Sequence, residues 1–191
     1  MSAPAPKTIV IAPIGDLDPE LTAAVGRGIE RVFRTAARAE PILSDLAFAF
    51  DAGRRQYLST AILRALEASA PADAFKLLGL VRVDLFIPIL TFVYGEAQMG
   101  GIACVLSTFR LNSGPGAFEG KAGGVVRTVK EALHELGHTF RLRHCPDPAC
   151  LMHYCRSEAD VDRKSSDLCR YCRVMLDDEL RQPAASGWIH R

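Results

Sequence analysis

Residues 134–145 read HELGHTFRLRHC, and this stretch constrains the fold more than any other. His134 and His138 are four apart. On a helix of 3.6 residues per turn they share one side, roughly 6 Å apart along the axis. Two neutral imidazoles so placed can hold one metal ion, and Glu135 beside them can take a proton from a water activated there. A catalytic metal site needs a third protein ligand and one open position. His144 is the candidate. Continuing the helix would carry it roughly 9 Å further along the axis, so the chain must leave the helix after about Phe140 and double back. Glycine at position 141 would permit that turn through positive φ. The chain has Arg141 instead, at a cost of about 1–2 kcal/mol if left-handed. Glu158 and Asp160 are rival third ligands. The bare HExxH pattern also fits a helix carrying two surface or core histidines; the third histidine and Met152 downstream argue against that.

The second constellation is Cys145, Cys150, Cys169 and Cys172, spaced C-x4-C-x18-C-x2-C. Four thiolates with no open position make a structural metal site. Such a site would clamp a tail that has too few apolar residues to fold alone. Two disulfides are the alternative. The N-terminus lacks a charged region followed by a long apolar run, and no segment approaches the roughly 18 apolar residues of a membrane span. The expected location is therefore cytoplasmic, where clustered cysteines favour metal over disulfides. Cys155 is left over and can substitute for Cys150. Cys104 sits in an apolar strand and reads as a core residue.

The 191 residues fit one domain of ordinary size, and 49% apolar content allows a real core. A net charge of +1 offers no field to recruit nucleic acid or a membrane. Arg27, Arg31, Arg34 and Arg38 read as the wet face of a helix. Residues 7–14 (KTIVIAPI) read as a buried strand. Asp18 then caps a helix with Pro19 at its first position, running to about Ala39 and stopped by Pro41. Residues 41–50 alternate as a second strand. Ser59 caps a helix through Ala68, with Ile62, Leu63 and Leu66 on its apolar stripe. A third strand covers roughly 75–81, interrupted by Gly79. Residues 90–111 read as two β segments around Gly95 and the Gly100-Gly101 pair, and 112–124 as a loop. The following helix buries Val125, Val126, Val129, Ala132, Leu133 and Leu136 and carries the histidines. After Arg143 little periodicity remains. The order predicts one α/β layer whose last helix bears the chemistry.

Together these residues resemble the archaemetzincin family, whose pattern is HExxHxxGxxHC, then x4-C-x-M, then C-x-x-C after a loop. Here it reads HELGHTFRLRHC, then Cys150-Leu-Met152, then Cys169-Arg-Tyr-Cys172. Residues 54–57, 83–88, 92–97 and 107–111 also look similar, so the resemblance covers about 7–173. It implies a single compact metzincin-like α/β domain over 1–191. A mixed twisted sheet with backing and active-site helices would form an upper part (about 7–143). A zinc-clamped lower part (about 144–191) would close the cleft. The resemblance implies a zinc peptidase acting on peptides or proteins as a monomer, with two Zn²⁺ per chain. His134, His138 and His144 would bind the catalytic ion, Glu135 would be the general base, and Met152 would form the Met-turn. Cys145, Cys150, Cys169 and Cys172 would bind the structural ion. Gly101, Ile102, Ala103, Cys104 and Val105, within strand 101–109, would form the cleft edge to which an extended substrate adds. Arg141 departs from the family glycine. Met152-His153-Tyr154 resembles the astacin and serralysin branch, where that tyrosine is a movable fifth ligand; Tyr154 takes that role or packs under the site. The reading from another class is a zinc-stabilised module that binds peptides without cleaving them.

Overall fold

A computed structural model describes residues 7–111 and 121–181. In chain order its elements are β1 (Thr8–Pro13), α1 (Pro19–Phe33), β2 (Ala36–Ala39), β3 (Phe50–Asp51), β4 (Gln56–Leu58), α2 (Ser59–Ala68), β5 (Ala74–Val81), β6 (Leu85–Phe86), β7 (Gly95–Ala97), β8 (Ala103–Ser107), α3 (Lys121–Thr139), α4 (Glu158–Arg163) and α5 (Arg170–Arg181). A five-stranded sheet runs β2-β1-β5-β8-β7. Its first four strands are parallel, and β7 lies antiparallel to β8. A small second sheet, β3-β4-β6, was not legible in the sequence.

Strand alternation sorts the core into two layers. Ile9, Ile11, Leu78, Leu80, Cys104 and Leu106 face α1 and α3. Val10, Ala12, Leu77, Val81, Ala103 and Val105 face α2 through Ile62, Leu63 and Leu66. Period-two burial on both faces is what a central parallel sheet covered on each side requires. Gly79 does not interrupt β5. A Cβ there would lie 2.5 Å from Leu66 Cδ1, so the glycine lets α2 approach the strand. No helix among the described residues is long and apolar enough to cross a membrane.

Several expectations change. α1 begins as expected, with Asp18 accepting from Glu20 N–H, but it ends at Phe33 because Arg34 turns left-handed (φ 53°). Residues 36–39 then pair with β1 instead of prolonging the helix, so Arg38 belongs to a strand. Pairing to a buried neighbour outweighs the helix preference of an Ala-Arg run. In 41–50, Asp45 accepts from Ala47 N–H at 2.9 Å and a 3₁₀ turn covers Ala47–Ala49, leaving a strand only at Phe50–Asp51. Ser59 is not the cap of α2; that position is Leu58. On α3, Val126 is exposed while Ala132, Leu133 and Leu136 are buried. The expected loop 112–124 lies outside the described residues as far as 120, and α3 already begins at Lys121. After Arg143 the chain does form helices. Ser157 and Asp160 make a capping box at α4, and α5 buries Cys172 and Leu176.

Candidate metal centres and catalytic cleft

α3 presents His134, Glu135 and His138 toward a cavity of about 340 Å³, walled by residues 90–95 on one side and 154–156 on the other. The helix ends in a two-bond reversal. Arg141 N–H donates to His138 O at 3.0 Å and Leu142 N–H to Gly137 O at 3.1 Å. This is the Schellman pattern, with its left-handed position at Arg141 (φ 60°). Arginine thus takes the turn that glycine would take without a Cβ penalty. The turn brings His144 back beside the helix. Its ring centroid lies 5.3 Å from that of His134 and 4.9 Å from that of His138.

The ligand atoms of His134, His138 and His144 all lie within 4.8 Å of one another. Nδ1 of His134 is 3.0 Å from Leu151 O, and Nδ1 of His138 is 2.7 Å from Leu142 O. A carbonyl only accepts, so each Nδ1 carries the proton and each Nε2 keeps its lone pair. Those two Nε2 atoms face each other at 3.1 Å. Two lone pairs so close repel unless a cation sits against both. Burial also holds all three histidines below their ordinary pKa, most strongly His134, where the Lys164 ammonium adds to it. Neutral imidazoles are what a metal site needs.

Glu135 is buried, and burial with the neighbouring Glu131 carboxylate pushes its pKa up to about 8. Its side chain lies against the backbone of Gly95. A Cβ at 95 would meet Val105 O at 2.5 Å and Glu135 Cγ at 2.7 Å. Met152 is fully buried and fills the space under Gly137, where a Cβ would fall 2.5 Å from its Sδ. The tilted ring of Tyr154 stands 4.9 Å from that of His144 and is about half exposed.

The Sγ atoms of Cys145, Cys150, Cys169 and Cys172 also lie within 4.8 Å of one another, and all six cysteines are free thiols. Cys145 Sγ and Cys169 Sγ are 3.8 Å apart, the separation of two sulfurs each about 2.3 Å from one tetrahedral centre. Cys150 Sγ also accepts from Cys169 N–H at 3.3 Å. Cys104 is a buried core residue. Cys155 belongs to neither cluster and lines the cavity. The rival ligands are engaged elsewhere. Glu158 pairs with Arg127 at 3.2 Å, and Asp160 binds Ser157 and Arg156 N–H.

The family model for peptidase family M54 matches residues 46–178. The archaemetzincin of Methanopyrus kandleri is 40% identical over 135 residues, 70% of this chain and 73% of that one. The chain belongs to peptidase family M54, the archaemetzincins. It is a zinc metallopeptidase by that membership. The crystal structure of the Methanopyrus kandleri archaemetzincin has a TM-score of 0.81 at 33% identity, covering 92% of this chain and 96% of that one. A zinc-dependent peptidase from Methanocorpusculum labreanum has a TM-score of 0.77 at 28% identity, covering 88% and 99%.

Against the family pattern one expectation is corrected. Residues 103–107 form β8, which is hydrogen-bonded to β5 on one side and β7 on the other and is wholly buried. Ala103, Cys104 and Val105 therefore offer no free edge to a substrate, and Gly101 and Ile102 lie in the bend that precedes the strand. Among the described residues the sheet edge on this side is β7, which the hairpin through Gly100-Gly101 lays outside β8. Other residues at the site had no motif to mark them. Lys164 is fully buried, with Nζ 2.6 Å from Glu131 Oε1 and 3.4 Å from His134 Nδ1. Lys76 donates to Gly101 O at 2.6 Å and Thr139 O at 2.7 Å, tying the hairpin to the end of α3. The glycines at 95 and 137 were the available signal, as breaks inside otherwise regular segments.

Proposed function

We propose that His134, His138 and His144 hold the catalytic zinc of this family member and that Glu135 is its general base in peptide hydrolysis. The observation that carries this reading is the pair of Nε2 atoms 3.1 Å apart, with Nδ1 of each ring against a carbonyl and Glu135 lining the same cavity. When bound, zinc supplies Lewis acidity, making a water nucleophilic near neutral pH and polarising the scissile carbonyl. Leu151 O and Leu142 O orient the two helical imidazoles. A Glu135 carboxylate oxygen takes the proton of the attacking water and passes it to the leaving amine nitrogen.

The same reading gives Cys145, Cys150, Cys169 and Cys172 a second, structural zinc, and places the cleft between residues 7–143 and 144–181. Its walls at 90–95 and 154–156 support that division. An extended peptide adds to β7 as a further strand. On either side of β7, Tyr94 O accepts from Ser107 N–H, and Gln98 N–H donates to Ala103 O. Backbone direction alternates along an antiparallel pair, so Glu96 also turns toward β8, and Gly95 and Ala97 turn their N–H and C=O groups to the free edge. Tyr154 stands beside His144 as a movable ligand. A Tyr154→Phe protein whose cobalt-substituted spectrum matches wild type would refute that role.

The test is digestion of a mixed peptide library by the metal-loaded protein, read by mass spectrometry. The proposal expects cleavage products with wild type and none with Glu135→Ala at equal metal content. Peptide binding with no products from either protein would support a binding module instead.

A further inference from the structure

We propose that Glu96 is the positioning residue of the substrate-side edge strand, setting where β7 stands by anchoring it to the N-terminus of α2. The inference rests on the reading of β7 as the strand that pairs with substrate.

β7 has three residues and, among the described residues, one strand neighbour. Its pairs with β8 are Gly95 with Leu106, Glu96 with Val105 and Ala97 with Cys104. A strand this short, held on one side only, has few backbone bonds to fix its position. Its faces divide the work. Gly95 sits against Glu135 on the α3 face, and Ala97 packs into the same core layer. Glu96 points the other way, toward α2. There its carboxylate accepts from Ser59 Oγ at 2.5 Å and from Thr60 Oγ1 at 2.9 and 3.0 Å.

Ser59 and Thr60 are the first two residues of α2, and Leu58 before them provides no side-chain cap. An acid is favoured at a helix N-terminus, where unpaired N–H groups leave partial positive charge. The acid that serves α2 comes from the edge strand instead of from α2 itself. α2 is a firm base, since Ile62 and Leu66 are fully buried against the central sheet. Ser59 is fully buried and lies 3.1 Å from Phe86 O of β6. One carboxylate thus ties the edge strand to a packed helix and fixes the height at which Gly95 and Ala97 present their outward groups. Glu96 touches neither the reacting atoms nor the metal ligands; it acts through β7.

The test uses the metal-loaded full chain and two probes, acetohydroxamate and a hydroxamate with a three-residue peptide arm. The first reports on the metal alone and the second adds pairing along β7. In wild type the arm should tighten binding. In Glu96→Ala the arm-bearing probe should weaken about tenfold, the worth of one or two backbone hydrogen bonds, with acetohydroxamate unchanged. Glu96→Gln, which keeps an accepting oxygen for the two hydroxyls, should recover most of the loss. Ser59→Ala with Thr60→Val should reproduce it from the other side. Amide exchange on the metal-free chain gives a ligand-independent readout. Protection at Glu96 should fall in Glu96→Ala, with β5 and β8 unchanged. An arm that helps wild type and Glu96→Ala equally, with unchanged exchange, overturns the proposal while leaving the substrate strand intact. An arm that adds nothing in wild type overturns the substrate-strand reading itself, and the proposal with it.

Discussion

Arg141 carries the largest local oddity of the site. It holds the left-handed position (φ 60°) at which the family pattern has glycine, and its side chain lies across Gly100 and comes within 3.6 Å of Glu179. That surface pair is worth little. Arg141→Gly should raise stability by about 1 kcal/mol, the left-handed penalty less the extra chain entropy of glycine, read as a higher urea midpoint at unchanged slope. Gly137→Ala should act oppositely. Its Cβ would overlap Met152 Sδ, costing about 1–3 kcal/mol and loosening the histidine site, so metal content should fall there first. Lys164 makes the strongest case for a buried partner. Its loss in Lys164→Met leaves Glu131 buried without its countercharge, a cost of about 3–5 kcal/mol by denaturant unfolding. The ligands were readable because chemistry restricts them to histidine, cysteine and glutamate at set spacings. Lys164 was not, since a lysine has no spacing rule and only the packed fold reveals what it faces.

At the scale of elements, α3 and β5 were legible from periodicity, and α1 was legible from its cap but carried past Phe33 into what is β2. β2 was not legible, because Ala36–Ala39 has no strand preference and exists through its register with β1. β7 and β8 were seen as two segments about the right glycines, but which lay outermost depends on the hairpin's pairing, and period alone carries no neighbour order. Lys76 joins three of these elements, and the desolvation of its ammonium lowers its pKa to about 8. The folded chain therefore holds fewer protons there than the unfolded chain between about pH 8 and the ordinary lysine value of 10.5. Stability from this group rises with pH across that window. The neutral amine keeps two N–H donors for Gly101 O and Thr139 O. In wild type relative to Lys76→Met, unfolding free energy should rise between those pH values; a flat difference would refute the assignment.

For the whole molecule, the consequential feature is how close the two ligand clusters lie in the chain. His144 and Cys145 are consecutive, and Cys145 N–H donates to Met152 O at 2.9 Å. Cys150, Leu151 and Met152 turn in sequence to the thiol cluster, to His134 Nδ1 and to the underside of α3. α4 is pinned to α3 by Arg127 on Asp162 at 2.7 Å and by Lys130 on the carbonyls of Val161 and Asp162. The segment after Arg143 is thus tied to α3 by charge and also adds Leu151, Met152, Val161 and Leu176 to the main core. The proposed centres require that the three histidines and the four cysteines hold separate ions. The most direct measurement is zinc per chain by native mass spectrometry, on wild type and His144→Ala purified without added metal. Two are expected in wild type and one in His144→Ala. One ion in both proteins would contradict it, leaving the histidine site without metal.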